Sequence, residues 1–187
     1  MKKRKIAIIM LVLGILLIAS GIGVFVYKEV STNQKNKLEI ENRIIKDHNA
    51  LEEKINSFND MRGKYYSEVN NNLYPESVES EYENWLTVLD EYTNVVDEFE
   101  ESSKYLKENC VGKYYSNKDV SNKCEAFNIE YETVINYYTK DIEAFNENLV
   151  LYRTNNKIDE EESEIKNYTS KYTYIDIDTD GEFKGKD

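Results

Sequence analysis

Residues Ile6 to Tyr27, IAIIMLVLGILLIASGIGVFVY, run 22 positions without one charged side chain. Coiled as a helix at about 1.5 Å per residue, such a run reaches roughly 33 Å, enough for a hydrocarbon core of about 30 Å. A helix is the conformation that lipid permits, because lipid offers backbone N–H and C=O groups no partners. Lys2, Lys3, Arg4 and Lys5 precede the run, and Lys28 and Glu29 follow it. By the excess of cations on the cytoplasmic side, the N-terminus is expected in the cytoplasm and the rest of the chain outside. Residues 1–5 then form a basic cytoplasmic tail, and residues 6–27 a transmembrane helix that anchors the chain in the plasma membrane in a single pass. A cleaved signal peptide is the competing reading. Its apolar stretch would normally span about 7–15 residues, whereas this one stays apolar past the small residues Ala19, Ser20 and Gly21.

Beyond the run the chain is acidic. Residues 28–187 hold 20 Lys and Arg against 36 Asp and Glu, a formal charge of −16. Nucleic acid and bare anionic lipid are poor partners on that ground. One proline and seven glycines in 187 residues leave few places to break a helix. The wealth of Lys, Asn, Ile and Tyr fits an AT-rich Gram-positive bacterium.

Apolar spacing sets the expected architecture. Positions 48, 51, 55, 58, 62, 65 and 69 hold His, Leu, Ile, Phe, Arg, Tyr and Val, in steps of three and four. That is the rhythm of a helix facing other helices. Leu38, Ile44 and Ile45 extend the stripe toward the N-terminus, and Tyr74-Pro75 ends it, since a residue before proline avoids the helical region. Val78, Tyr82, Trp85, Leu89, Tyr92, Val96, Phe99, Ser103, Leu106 and Cys110 form a second stripe. VGKYYSNKDVSN is expected as a loop. Cys124, Phe127, Tyr131, Val134, Tyr138, Ile142, Phe145, Leu149 and Tyr152 form a third, with a slip of register at the four-residue step from Tyr138 to Ile142. The expected fold class is therefore all-α: the transmembrane helix, then an extracytoplasmic antiparallel three-helix bundle over residues 28–154, coiled-coil-like in its packing. Residues 155–187 are expected as an acidic linker followed by a short C-terminal hairpin or loop.

Cys110 closes the second stripe and Cys124 opens the third, so antiparallel helices would bring them together at one end of the bundle. A structural disulfide is the expectation in an oxidising compartment, stabilising a loop of about 15 residues by roughly 3 kcal/mol. No CxxC motif favours redox catalysis; free or metal-bound thiols are the other reading. Tyr114 and Tyr115 lie in the loop so closed and are the candidates for touching a protein partner. His48, the one histidine, falls on an inward stripe and reads as a partly buried, hydrogen-bonded core residue. No nucleophile motif, phosphate-cradling loop or zinc pair accompanies it.

The tail KYTYIDIDTDGEFKGKD admits two readings. Tyr172, Tyr174 and Asp176 alternate with Thr173, Ile175 and Ile177 ahead of an Asp-Gly turn, the pattern of a β-hairpin. Alternatively Asp176, Asp178, Asp180, Gly181, Phe183 and Asp187 fall at positions 1, 3, 5, 6, 8 and 12 of a calcium loop, with the Glu182 carbonyl at position 7. These 12 residues resemble an EF-hand loop, and more narrowly the dockerin-like loops of extracellular bacterial proteins. The resemblance implies calcium as ligand, held by Asp176, Asp178, Asp180, Glu182 and Asp187. The segment departs from the EF-hand in ending on Asp where that family places a bidentate Glu, and in carrying Lys184 at position 9.

Together these features describe a non-enzymatic, membrane-anchored interaction or scaffold protein of the bacterial cell envelope. An immunity or superinfection-exclusion type inhibitor is the alternative.

Overall fold

A computed structural model describes residues 33–74, 76–161 and 163–177 with their side chains, and residues 2–32, Pro75 and 183–185 as backbone only. The chain is mostly helical and in this respect all-α: α1 (Lys2–Glu68), α2 (Val78–Cys110) and α3 (Lys118–Asn156), with two short strands, β1 (Ile175–Ile177) and β2 (Phe183–Gly185). Among the residues described with side chains, no helix is long and apolar enough to cross a membrane. The expected span, residues 6–27, lies outside them.

Contacts divide the chain into two compact units, Met1–Arg43 and Ile44–Asp187. In the first, residues 33–40 are exposed, Leu38 among them, so Leu38 does not continue the buried stripe. Lys37 reaches Glu41 at 3.8 Å across one helical turn.

In the second unit the three helices pack up, down and up. On α1 and α2, Lys54 meets Glu98 at 2.8 Å and Lys64 meets Glu91, so the two run antiparallel. On α2 and α3, Trp85 stands edge-on to Phe145, Tyr92 edge-on to Tyr138, and Phe99 stacks on Tyr131. Those pairs descend one helix as they climb the other. Every residue of the second and third expected stripes is buried. On α1 the stripe is buried at His48, Leu51, Phe58 and Tyr65 and half-buried at Ile55 and Arg62, and Val69, just past the helix, is buried too. The largest fully buried side chains of the seam are aromatic, Trp85, Tyr92 and Phe99 among them, and such rings supply large apolar area per residue.

Local chemistry explains the connections. Tyr74 is extended (φ −109°, ψ 149°), as a residue before proline must be, and α2 begins three residues after Pro75. At the other end, Val111 (φ −67°, ψ 123°) and Gly112 (φ 66°) form a type II turn closed by the Lys113 N–H on the Cys110 carbonyl at 3.2 Å. Position i+2 of such a turn needs positive φ, which glycine adopts without strain. The expected loop is shorter than its sequence: Asn117 caps α3 by accepting the Asp119 N–H at 3.1 Å, and the helix starts at Lys118 rather than near Cys124.

The C-terminal segment differs most from expectation. Residues 155–161 and 163–166 are not a free polar linker. Lys157 takes a left-handed conformation (φ 57°) and ends α3 in a Schellman motif, with the Ile158 N–H on the Arg153 carbonyl at 2.9 Å. The chain then returns along the α2–α3 groove as a strap. Ile158, Ile165, Tyr168, Tyr172, Ile175 and Ile177 pack against the core. Two asparagines of α3 hold it by pairing with backbone as a strand would. The Asn146 amide donates to the Tyr168 carbonyl at 2.9 Å and accepts from the Tyr168 N–H at 2.7 Å. Asn136 does the same for Ile175, both bonds at 2.8 Å. The strap ends in the hairpin half of the tail reading, with Ile175 opposite Gly185 and Ile177 opposite Phe183 in an antiparallel ladder.

Candidate functional site

The tip of the bundle begins with the cysteines. Cys110 and Cys124 are bonded at 2.07 Å with Cα atoms 4.8 Å apart, and both are buried. The bond closes the α2–α3 connection at the end where Ile44 starts the second unit's share of α1. The two loop tyrosines separate. Tyr115 is half-buried, and its hydroxyl donates to the Asn109 carbonyl at 2.6 Å, which pins the loop to the last turn of α2. Tyr114 is 88 % exposed. A rigidly held loop that carries a bare aromatic ring can dock against a partner with little ordering cost, since the backbone is already fixed.

At the middle of the bundle stands a polar cluster that sequence reading missed. Asp141 is 3 % exposed. Its carboxylate accepts from Arg62 Nε at 2.8 Å, from the Tyr92 hydroxyl at 3.0 Å and from the Tyr66 hydroxyl at 3.1 Å. The Tyr65 hydroxyl donates to its carbonyl at 2.9 Å. The Arg62 guanidinium also lies 3.9 Å from the centre of the Tyr137 ring. Burial and the Asp141 charge push the Tyr92 hydroxyl well above the usual phenol range, so it stays a donor. The sequence held a signal for this pairing. An arginine on an inward stripe requires an acid, and Asp141 sits at the register slip of the third stripe. The arrangement joins all three helices through one buried carboxylate.

His48 is buried, as expected, but not hydrogen-bonded. It is 8 % exposed, neither ring nitrogen has a hydrogen-bond partner, and Nε2 lies 3.3 Å from a Glu130 carboxylate oxygen that also lacks one. Burial, then the charge of Lys123, holds the imidazole below its ordinary value, while burial raises the Glu130 carboxyl.

Of the calcium positions, Asp176 lies on β1 opposite Lys184. Asp178, Asp180, Glu182 and Asp187 lie outside the described residues. Among the described residues, no group of three or more His, Cys, Asp and Glu side chains is placed to hold a metal.

The strap adds polar contacts that no stripe foretold. The Tyr82 hydroxyl donates to the Lys166 carbonyl at 2.7 Å and accepts its N–H at 3.0 Å. The buried Arg153 donates to the Ile165 carbonyl at 3.0 Å and to Asn167 at 2.8 Å. The Tyr172 hydroxyl donates to Asp97 at 2.6 Å, and Lys171 stands 2.8 Å from the same oxygen. Burial pushes the Asp97 carboxyl up, but those bonds outweigh it and hold the group below the usual range.

Compared with models of protein families, with curated proteins and with solved structures, the chain matches none.

Proposed function

We propose that this chain is a non-enzymatic interaction module of the bacterial cell envelope, anchored in the plasma membrane in a single pass through residues 6–27. The N-terminus lies in the cytoplasm and the helical bundle outside, where its disulfide persists. The module meets a protein partner through the disulfide-closed tip. The observation that carries this reading is Tyr114, a bare ring on a loop that a buried disulfide and the Tyr115 hydroxyl hold in place. The polar cluster around Asp141 supports it too, because the Asp141 carboxylate and the Tyr65, Tyr66 and Tyr92 hydroxyls are engaged in contacts between helices.

A photo-crosslinking residue placed at Tyr114 of the full chain in living cells tests this. A discrete light-dependent adduct is expected there and not from the exposed α3 position Thr133. Equal yields at the two positions, or no adduct at Tyr114, would overturn the tip as a docking site. Capture of a toxin or phage component would turn the reading to an immunity or exclusion factor.

A further inference from the structure

Between the strap and α3 lies an open groove of about 620 Å³, walled by Thr139, Glu143 and Asn146 on the helix and by Tyr168, Tyr172 and Tyr174 on the strap. We infer that this groove binds a neutral saccharide. It is a site distinct from the tip, and it does not rest on the membrane anchor.

Four observations lead there. The volume falls in the range of about 300–1,000 Å³ in which small-molecule sites are found. The tyrosines are fixed by their own hydroxyls: Tyr168 lies 2.7 Å from Thr93 and donates to Asp90 at 2.9 Å, Tyr172 donates to Asp97, and Tyr174 donates to Glu143 at 2.7 Å. Rings so held present aromatic surface without the entropy cost of ordering it on binding. The wall contains no cation, and it carries the acid Glu143 in a chain of net charge −12, so an anionic ligand is repelled. Finally, Asn146 and Thr173 place an amide and a hydroxyl on the wall, groups that both donate to and accept from a ligand hydroxyl.

A small cation satisfies only part of this wall. Glu143 already accepts a tyrosine hydroxyl, and the other polar groups are neutral amides and hydroxyls that donate as well as accept. A ligand matching them needs many hydroxyls and an apolar ring face for the tyrosines, and a saccharide supplies both. The strap is therefore one wall of the site, and undocking it removes the site.

The full chain in lipid nanodiscs, free of glycoside detergents that would compete, is titrated with tetrasaccharides of N-acetylglucosamine, glucose in β linkage and glucose in α linkage. Binding is followed by calorimetry and by amide shifts. At least one tetrasaccharide is expected to bind and to shift the amides of Thr139, Asn146 and Tyr174. Tyr174→Ala is expected to weaken it by about tenfold, or about 1.4 kcal/mol. Tyr174→Phe, which keeps the ring, retains most of the affinity, and Tyr114→Ala leaves it unchanged. Unaltered protection of the Tyr168 amide in Tyr174→Ala shows that the strap is still docked. No binding by any of the three at about 10 mM, or binding indifferent to Tyr174→Ala, overturns the inference. Crosslinking from Tyr114 is expected to be the same in Tyr174→Ala, so this site and the tip stand or fall separately.

Discussion

Asp141 is the residue on which the three helices agree. Its carboxylate is buried, and its neutralising partner Arg62 comes from another helix. Removing one member of a buried ion pair costs more than never having had it, because the survivor stays charged in a poor solvent. Asp141→Ala is expected to destabilise the protein by about 3–5 kcal/mol in denaturant titration. Arg62→Ala on that background should cost far less than on the native one, since the orphaned charge goes with it. His48 gives a pH signature with a definite sign. Its folded value lies below the ordinary 6.5, so the unfolded chain takes up the proton first and stability falls as pH drops below 6.5. Glu130 works in the opposite sense. Its folded value lies above 4.5, so its contribution is greatest in acid and is lost as pH rises through that folded value. Stability measured between pH 7 and 5 should therefore lose its acid-side decline in His48→Gln and show a steeper one in Glu130→Gln. Identical pH profiles in wild type and His48→Gln would show that the imidazole does not titrate with folding.

Among the elements, the helices were legible and the strap was not, for a physical reason. A helix that faces two others must repeat apolar groups every three or four residues, and α2 shows that repeat from Val78 to Cys110 with Ser103 as its one polar member. The strap holds on by other means. Its backbone groups meet asparagines at positions 136 and 146 of α3, isolated tyrosine hydroxyls meet Asp90 and Asp97 of α2, and none of these leaves a period in its own segment. One trace existed. α3 is buried over a wider arc than one seam requires, at Ile135, Thr139 and Asp141 as well as at Tyr138 and Ile142, and such an arc implies further partners. The site was legible in the same proportion: the cysteines and the loop they close by spacing, Tyr114 by elimination, and the strap groove not at all. Asn146→Ala is expected to abolish protection of the Tyr168 amide in hydrogen exchange while leaving the α2 amides unchanged. Acid should loosen the strap too. The Asp97 carboxyl is depressed when folded, so its share of docking is present above its unfolded value of 3.8 and is lost as pH falls through the lower folded one. The staple at the other end acts on the unfolded chain. Reduction is expected to lower the melting temperature by roughly 10 °C, from about 3 kcal/mol of lost constraint, without melting the bundle at room temperature.

At the scale of the whole molecule, three features point the same way. A charge-free run follows a basic start, an acidic helical unit follows the run, and that unit is closed by a disulfide that the cytoplasm would reduce. Any one of them is compatible with more than one compartment; an oxidising compartment outside the membrane accommodates all three. The thiol state of Cys110 and Cys124 in living cells bears on them together. Cells are quenched in acid, free thiols are capped with a maleimide heavy enough to shift the band on a denaturing gel, and a sample reduced beforehand marks the position of the doubly capped chain. A bundle held outside the cytoplasm is expected to run unshifted, with both cysteines bonded. A band shifted to the doubly capped position without reductant would place the chain in a reducing compartment and contradict the proposed topology.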